Sequence, residues 1–257
     1  MSKLATKDRF FDLSDYGRFF GSLIANQFKN TKVTPIHITL LFGVSGLMAV
    51  YFILNQHYYL ASFFIILKSI IDAADGELAR LKKTPSYSGR YLDSIFDIIL
   101  NFLFLFSIGY IGHVSLWLTM FAFISIQLQG TLYNYYYVIL RNKSVDGDST
   151  SKVFEYKTPR ALPGENQKVV NVLFLIYLIV YGVFDKVIHF FDKTAYKNNT
   201  FPNWFMTFVS MYGLGFQLLI IAFMLSFNLL NDIIPFFIAY SVFIFILISI
   251  RRFKLIN

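Results

Sequence analysis

Six long apolar runs constrain the fold of this chain more than any other feature of its sequence. Each is close to the roughly 20 residues that an α-helix needs to cross a lipid bilayer. The chain is 56% hydrophobic, and its mean hydropathy of +0.55 is typical of a multi-span membrane protein rather than a soluble domain. The runs predict an all-α integral membrane protein with six transmembrane helices, at residues 36–54, 59–81, 87–111, 114–139, 204–229 and 233–250.

A seventh apolar run, at residues 169–184, is shorter, and charged residues follow it at once. In a six-span arrangement, Lys and Arg all lie on one side, including the turn at 81–88 and the tail Arg251-Arg252-Phe253-Lys254. If the seventh run also crossed, the tail would lie outside the cell, against the positive-inside rule. The charges therefore predict an interfacial or re-entrant helix at 169–191 and cytoplasmic placement of both termini.

The first 35 residues mix charged and apolar side chains, which is not the pattern of a cleavable signal peptide. They predict an amphipathic helix on the membrane surface. No internal repeat or second domain is visible. We therefore expect one membrane domain over residues 1–257, with 1–35 as an amphipathic cytoplasmic or interfacial segment and 142–203 as a cytoplasmic loop and interfacial helix.

The net charge of +8 is explained by basic residues beside anionic lipid headgroups. A nucleic-acid partner has no support, because the sequence contains no soluble basic domain and no platform of aromatic and basic residues. Membrane lipids are therefore the expected surroundings of this chain.

Four aspartates lie at the facing ends of the second and third runs. Asp72 and Asp75 are three residues apart, and Asp93 and Asp97 are four apart, so each pair shares one face of its helix. The short turn between the runs predicts antiparallel neighbouring helices whose aspartate faces converge. Ionisable residues at such positions indicate a functional site. The same faces carry three residues with almost no side chain, Gly76, Ala79 and Gly89.

Carboxylates this close together repel one another unless a cation lies between them. Oxygen ligands without Cys or clustered His select Mg²⁺, Mn²⁺ or Ca²⁺ over Zn²⁺. Two divalent ions fit four carboxylates better than one, and a metal pair is typical of displacement at phosphorus.

Two other interpretations stay open. The aspartates could form a structural cluster that is ion-paired with Lys68, Arg80 and Arg90. They could also belong to a divalent-cation transporter, since carboxylates between spans mark ion pathways. Their position beside a basic turn disfavours transport, because transport sites lie near the bilayer midplane.

The complete pattern of small and acidic residues resembles the signature of the CDP-alcohol phosphotransferase family. It reads Asp72-x-x-Asp75-Gly76-x-x-Ala79-Arg80, eight further residues, and Gly89-x-x-x-Asp93-x-x-x-Asp97. The resemblance implies that a CDP-activated alcohol donates its substituted phosphate to a hydroxyl acceptor, with release of CMP. It also implies a requirement for Mg²⁺ or Mn²⁺ and a homodimer formed through the membrane helices.

The resemblance assigns a role to each matching position. It implies that the metal ligands are Asp72, Asp75 and Asp93. Asp97 resembles the general base, and we expect it to hold the two divalent ions together with the other three aspartates. The positions that let the cytidine diphosphate approach the backbone correspond to Gly76, Ala79 and Gly89, and Arg80 matches an arginine near the phosphates.

We interpret CDP-diacylglycerol as the donor and a small polar alcohol as the acceptor. Candidate acceptors are inositol, inositol phosphate, glycerol phosphate and serine, each of which would give a phospholipid. The alternative within the same chemistry is transfer from a CDP-linked polar alcohol, of the choline, ethanolamine or inositol type, to a lipid or soluble hydroxyl.

One segment departs from the family pattern. The family often has a Pro-Asn-x-x-Thr-like segment before its first membrane helix, whereas this chain reads Thr34-Pro35-Ile36-His37-Ile38-Thr39. The Asn is absent, so the resemblance does not extend to a donor contact by that residue. Thr34 and Thr39 could keep part of that role, but a Thr before an apolar run is also typical of a helix cap, which is the role we expect here.

Overall fold

The computed structural model describes residues 4, 8–142, 152–153, 155–197 and 201–254, and these residues form helices and no strand. The all-α membrane fold predicted from the apolar runs is confirmed. The described α-helices are α1 (Arg18–Phe28), α2 (Pro35–Leu54), α3 (Tyr58–Lys82), α4 (Tyr87–Ile111), α5 (Leu116–Arg141), α6 (Gln167–Phe191), α7 (Asn203–Ser210), α8 (Leu214–Ser226), α9 (Leu230–Tyr240) and α10 (Val242–Lys254). Short 3₁₀ turns lie at Leu13–Asp15 and Ala195–Lys197.

Five helical units in the described part of the chain are long and apolar enough to cross a membrane. They are α2, α4, α5, α6 and the stretch that joins α9 to α10, and the bent pair of α7 and α8 makes a sixth if it is one span. The span predicted at 59–81 forms α3. This helix is long enough to cross a membrane, but it carries more charged residues than the five apolar units. α3 contacts α1, α2 and α8, and it buries Lys68 and Asp75 inside the bundle.

Local signals set the ends of the helices around the predicted site. Thr34 is the N-cap residue of α2, as expected, and Pro35 occupies its first position. α3 ends where Lys83 adopts a left-handed backbone with φ of 52°. α4 begins after Ser86, whose hydroxyl accepts a hydrogen bond from the Gly89 amide at 2.8 Å.

α3 and α4 run antiparallel, but they do not pack closely against each other. Instead α2 contacts both of them. The predicted antiparallel neighbours therefore meet through their side chains, which pair Lys68 with Asp97 and bring Asp75 close to Asp93. The aspartate side chains meet across the space between the two helices.

The last two predicted spans are each divided in the structure. The run at 204–229 forms α7 and α8, which are bent by 46°. The N-terminal segment packs against this break, where the Leu13 amide donates to Ser210 Oγ at 3.0 Å. A Cβ atom at Gly213 would lie 2.3 Å from Cβ of Ser14, so only glycine permits this close approach. The final run is divided between α9 and α10.

α1 forms within the predicted amphipathic segment and lies directly on α3. A Cβ atom at Gly17 would lie 3.0 Å from the Ser69 carbonyl oxygen, and one at Gly21 would lie 2.9 Å from the Ala74 nitrogen. The two glycines therefore allow backbone contact between the helices. Elsewhere α1 exposes large apolar side chains, Phe19, Phe20 and Leu23. Its placement on the membrane surface stays a prediction.

The helix predicted at 169–191 is found as α6, which begins two residues earlier, at Gln167, and ends at Phe191. It continues through Asp185 and Lys186 because charged side chains interrupt an apolar run without interrupting backbone hydrogen bonds. At 25 residues, α6 is about 37 Å long.

Both ends of α6 contact the same end of the bundle. Just before α6, the Glu165 carboxylate accepts hydrogen bonds from the Ser86 hydroxyl and the Ser88 amide, at 2.8 and 2.7 Å. Just after α6, Asp192 accepts a hydrogen bond from the Tyr136 hydroxyl at 2.7 Å. Because α4 and α5 are antiparallel, the start of α4 and the end of α5 lie together. The contacts therefore favour the interfacial placement, although the length and hydropathy of α6 would also suit a span.

Cysteine labelling can test the placement of α6, because the chain contains no cysteine. Lys168→Cys and Lys193→Cys, at exposed positions near the two ends of α6, should react with a membrane-impermeant maleimide from the same side. Gln56→Cys, in the exposed turn between α2 and α3, should react from the other side. Labelling of the first two positions from opposite sides would show instead that α6 crosses.

A fully buried ion pair attaches α10 to the end of α6. Arg251 Nε donates to Asp192 Oδ2 at 2.8 Å, and Nη2 of the same guanidinium donates to Thr194 Oγ1 at 2.7 Å. The Tyr136 hydroxyl donates to the same Asp192 oxygen. The side chains of Arg251 and Asp192 have no exposed surface. Three separate parts of the chain, α5, α6 and α10, are thereby joined at one point.

Candidate metal centre

Three of the four predicted aspartates lie close together between α3 and α4. Asp72, Asp75 and Asp93 each offer one carboxylate oxygen, and these three atoms lie within 4.8 Å of one another. Helical spacing explains the arrangement, because Asp72 and Asp75 share a face of α3 and Asp93 lies on the facing side of α4. The predicted convergence of the two aspartate faces is therefore found for these three residues.

The polar atoms of this three-carboxylate cluster fit a hard divalent cation. Oδ1 of Asp93 is buried and has no hydrogen-bond partner among the described residues. Asp75 is held in place by Thr39, whose hydroxyl donates to Oδ2 at 2.7 Å. The three atoms available to bind a metal ion are all carboxylate oxygens, the ligands that Mg²⁺ and Mn²⁺ prefer. A cation here would satisfy the oxygen that the protein leaves without a partner.

Asp97 lies outside the three-carboxylate cluster and is paired with Lys68. Lys68 Nζ contacts Asp97 Oδ1 and lies 2.9 Å from Asp72 Oδ2, so this ammonium joins α3 to α4. The Lys68 side chain is 1% exposed, and its nitrogen lies 4.6 Å from the centre of the Phe42 ring. The arrangement divides the four aspartates into a group of three and one residue held by lysine.

The two arginines suggested as counter-ions pair with other residues. Arg80 Nη2 donates to Glu77 Oε2 at 2.7 Å, one turn away on α3. Arg90 Nη2 donates to Glu155 Oε2 at 2.6 Å, and Glu155 belongs to the described part of the loop after α5. Of the three proposed counter-ions, only Lys68 contacts the aspartates. The expected ion pairs of a structural cluster are therefore found for Lys68 and not for Arg80 or Arg90.

The small residues leave an open face on α3 beside Asp75. A Cβ atom added at Gly76 would meet only the guanidinium of Arg80, at 3.4 Å. Ala79 is half-buried on the next turn. Gly89 differs, because a Cβ atom there would lie 3.2 Å from the hydroxyl that caps α4. Gly76 and Ala79 therefore border free space, whereas Gly89 lies in the capped first turn of α4.

The loop before α6 covers the start of α4. The Tyr91 hydroxyl donates to Glu155 Oε2 at 2.9 Å, beside the Arg90 contact with the same carboxylate. Burial alone would raise the pKa of Glu165, but hydrogen bonds from the Ser88 and Leu162 amides hold that pKa below its usual value. Both loop carboxylates thus help to fix α4, which carries Asp93.

Sequence reasoning named Lys68 only as a counter-ion of a structural cluster, and it did not predict the contact of Thr39 with Asp75. Lys68 precedes Asp72 by one helical turn, which places its side chain over the same face of α3. Thr39 lies in the segment that departs from the family pattern, and its hydroxyl reaches Asp75 from α2. Only a three-dimensional arrangement could show that α2 packs beside both aspartate helices.

Comparison with protein-family models identifies one match. The model for CDP-alcohol phosphatidyltransferase matches residues 32–194, which is well over half of the chain. A search of curated proteins finds no match. The matched region runs from α2 to the end of α6 and therefore includes all four aspartates.

Proposed function

Because the chain belongs to the CDP-alcohol phosphatidyltransferase family, which transfers a phosphate group from a CDP-alcohol to an alcohol, we propose that its donor is CDP-diacylglycerol. The acceptor is a small polar alcohol such as inositol, inositol phosphate, glycerol phosphate or serine. The products are a phospholipid and CMP. The homodimer implied by the resemblance stays a prediction.

The observation that carries this proposal is the open face of α3 beside the three-carboxylate cluster. Free space at Gly76 and Ala79 lies within one turn of Asp75. A cytidine diphosphate needs such space next to cations that neutralise its phosphates. A purely structural cluster would give no reason for open space on this face.

A lipid donor is supported by the surface of α2, which contacts both aspartate helices. This helix exposes a row of large apolar side chains, Leu40, Leu41, Val44, Leu47 and Tyr51. Such a surface suits the hydrocarbon part of a bilayer. The acyl chains of CDP-diacylglycerol can therefore stay in the membrane while the diphosphate reaches the aspartates.

We propose that Asp72, Asp75 and Asp93 hold a divalent cation, Mg²⁺ or Mn²⁺, and that the reaction uses two such ions. Bound divalent cations would neutralise the diphosphate and the charge that develops during displacement at phosphorus. Thr39 keeps the Asp75 carboxylate in position for this role. Arg80, beside Gly76, lies where it can approach the donor phosphates.

Asp97 is the proposed general base. In this step the acceptor hydroxyl gives its proton to an Asp97 oxygen, and the acceptor oxygen forms a bond to the lipid-linked phosphorus. The bond from that phosphorus to the bridging oxygen breaks, and CMP leaves. A carboxylate performs this role only within hydrogen-bond reach of the nucleophile, and the Lys68 contact fixes the direction in which Asp97 points.

A transport function is disfavoured by the continuity of the helices. α3 and α4 are unbroken through all four aspartates, whereas transporter sites are typically formed where helices are interrupted near the midplane. The aspartates lie towards the ends of α3 and α4 that join at the basic turn. We propose that this end faces the cytoplasm, where soluble phosphates and nucleotides are available.

The decisive experiment measures CMP release by the purified protein in lipid nanodiscs. Labelled CDP-diacylglycerol should give CMP and a labelled phospholipid with at least one of the proposed acceptors when Mg²⁺ or Mn²⁺ is present. Asp93→Asn is the matched inactive control. If no acceptor supports turnover while CDP-linked choline, ethanolamine or inositol does, the lipid is the acceptor and the proposed direction is wrong.

Gly76→Leu should weaken binding of the CDP donor by about 5- to 150-fold, because overpacking typically costs about 1–3 kcal/mol. Gly76→Ala is the matched control, since its Cβ atom would meet only the flexible end of Arg80. Calorimetric titration with CDP-diacylglycerol measures both variants. Unchanged donor affinity of the leucine variant would show that the donor lies elsewhere.

A further inference from the structure

We infer that Lys68 occupies the place of the second cation until the donor binds. The three-carboxylate cluster then takes one divalent ion by itself, and a second ion enters only together with the CDP donor. This inference rests on the proposed function and assigns Lys68 a positioning role in it.

The buried Lys68 ammonium is held in the site by its contacts with two carboxylates. A fully buried charge is stable only when it is paired, because removal from water costs several kcal/mol for each ion. The described contacts of Lys68 Nζ are the Asp72 and Asp97 carboxylates and the face of the Phe42 ring. Its 1% exposure leaves no route to an alternative partner in solvent.

Lys68 binds carboxylate oxygens that a second metal ion would need as ligands. Asp72 belongs to the three-carboxylate cluster and also contacts Lys68, while Asp97 is paired with Lys68 among the described residues. A second ion held by Asp72 and Asp97 would compete with Nζ for the same carboxylate oxygens. Two cations sharing these oxygens repel each other strongly in a buried environment. The second ion and the present position of Lys68 therefore exclude each other.

The net charge of the site favours one divalent ion without the donor and two divalent ions with it. Four carboxylates and one ammonium leave three negative charges, because Arg80 and Arg90 are already paired with Glu77 and Glu155. One divalent ion reduces this to a single negative charge. A second ion would leave the buried site positive unless an anion entered with it. The donor diphosphate is the anion that the proposed reaction supplies, so it makes the second ion favourable.

The arrangement orders the events of the reaction. In the structure, Asp97 is engaged with Lys68. The incoming diphosphate would give the buried Lys68 ammonium another anionic partner inside the site, so that Asp97 would be free to accept the proton of the acceptor hydroxyl. The chain thereby keeps its proposed base occupied until there is a donor to react.

Mn²⁺ stoichiometry in nanodiscs, measured by equilibrium dialysis and electron paramagnetic resonance, tests this inference without turnover. Wild-type protein should bind one ion in the absence of donor and two in the presence of CDP-diacylglycerol without acceptor. Lys68→Met should bind two ions without donor. Lys186→Met, at an exposed lysine of α6, is the matched control and should behave as the wild type.

Thermal stability gives a second measurement on the same proteins. Lys68→Met should melt at a lower temperature than the wild type in EDTA, and Mn²⁺ should restore most of the difference, because a metal ion replaces the missing charge. A lysine with only a structural role would give a loss that Mn²⁺ does not restore.

Two ions in donor-free wild-type protein, or a single ion in donor-free Lys68→Met, would overturn the inference. If Lys68→Met does not fold, the wild-type comparison with and without donor decides alone. A wild-type protein that binds no Mn²⁺ under any condition would instead contradict the proposed function, so the two failures are distinguishable.

Discussion

Excess EDTA should abolish CMP release by this protein, and Mg²⁺ or Mn²⁺ should restore it. Asp72, Asp75 and Asp93 lie so close together that, without a cation, they repel both one another and a diphosphate. The measurement is the rate of CMP release before chelation, after chelation and after addition of metal. EDTA already saturated with Mg²⁺ is the control and should leave the rate unchanged. Full activity in excess EDTA would show that the carboxylates do not act through metals.

Asp97→Asn should lower turnover by about 10²- to 10⁴-fold, the usual effect of removing a general base. The amide keeps the size of the side chain and can still accept a hydrogen bond from Lys68, so donor binding should largely survive. Asp75→Asn removes a ligand from the three-carboxylate cluster instead. Its loss should be partly restored by high Mn²⁺, whereas extra metal cannot replace a missing base.

The assay for this pair is CMP release against Mn²⁺ concentration, with calorimetric binding of the CDP donor to each variant. If Asp97→Asn turns over normally, Asp97 is not the base. If high Mn²⁺ restores Asp97→Asn as fully as Asp75→Asn, Asp97 acts only as another ligand. A shared loss of donor binding would point to misfolding of both variants, which their thermal melts would reveal.

The spacing of residues in the sequence predicted which side chains meet in the site, but it did not predict the contacts among them. Separations of three and four residues place carboxylates on one helical face, which is why the meeting of Asp72, Asp75 and Asp93 could be expected. Helical spacing does not determine which oxygen each side chain presents or to which partner. The separation of Asp97 by its contact with Lys68 depends on side-chain conformations that the pattern does not contain.

The apolar runs predicted the first and last residues of a helix accurately where a capping residue precedes the run and a glycine follows it. The run at 87–111 is α4 to the residue, because Ser86 caps its start and a glycine follows its end. The helix predicted at 169–191 is α6, which begins only two residues earlier, because charged residues at 185 and 186 continue the same helix. The break between α7 and α8 was not visible, because it depends on contact with the distant segment around Leu13.

The buried ion pair between Asp192 and Arg251 limits how far the protein can be shortened. A truncated variant ending at residue 250 would lack the guanidinium and leave a carboxylate in a dry environment without its partner. Breaking a buried pair in this way costs about 3–5 kcal/mol, a large part of the 5–15 kcal/mol that ordinarily separates folded from unfolded protein. Purification tags should therefore follow the last helix without replacing any of it, and a protease that trims the chain past Arg251 would release α10 from the bundle.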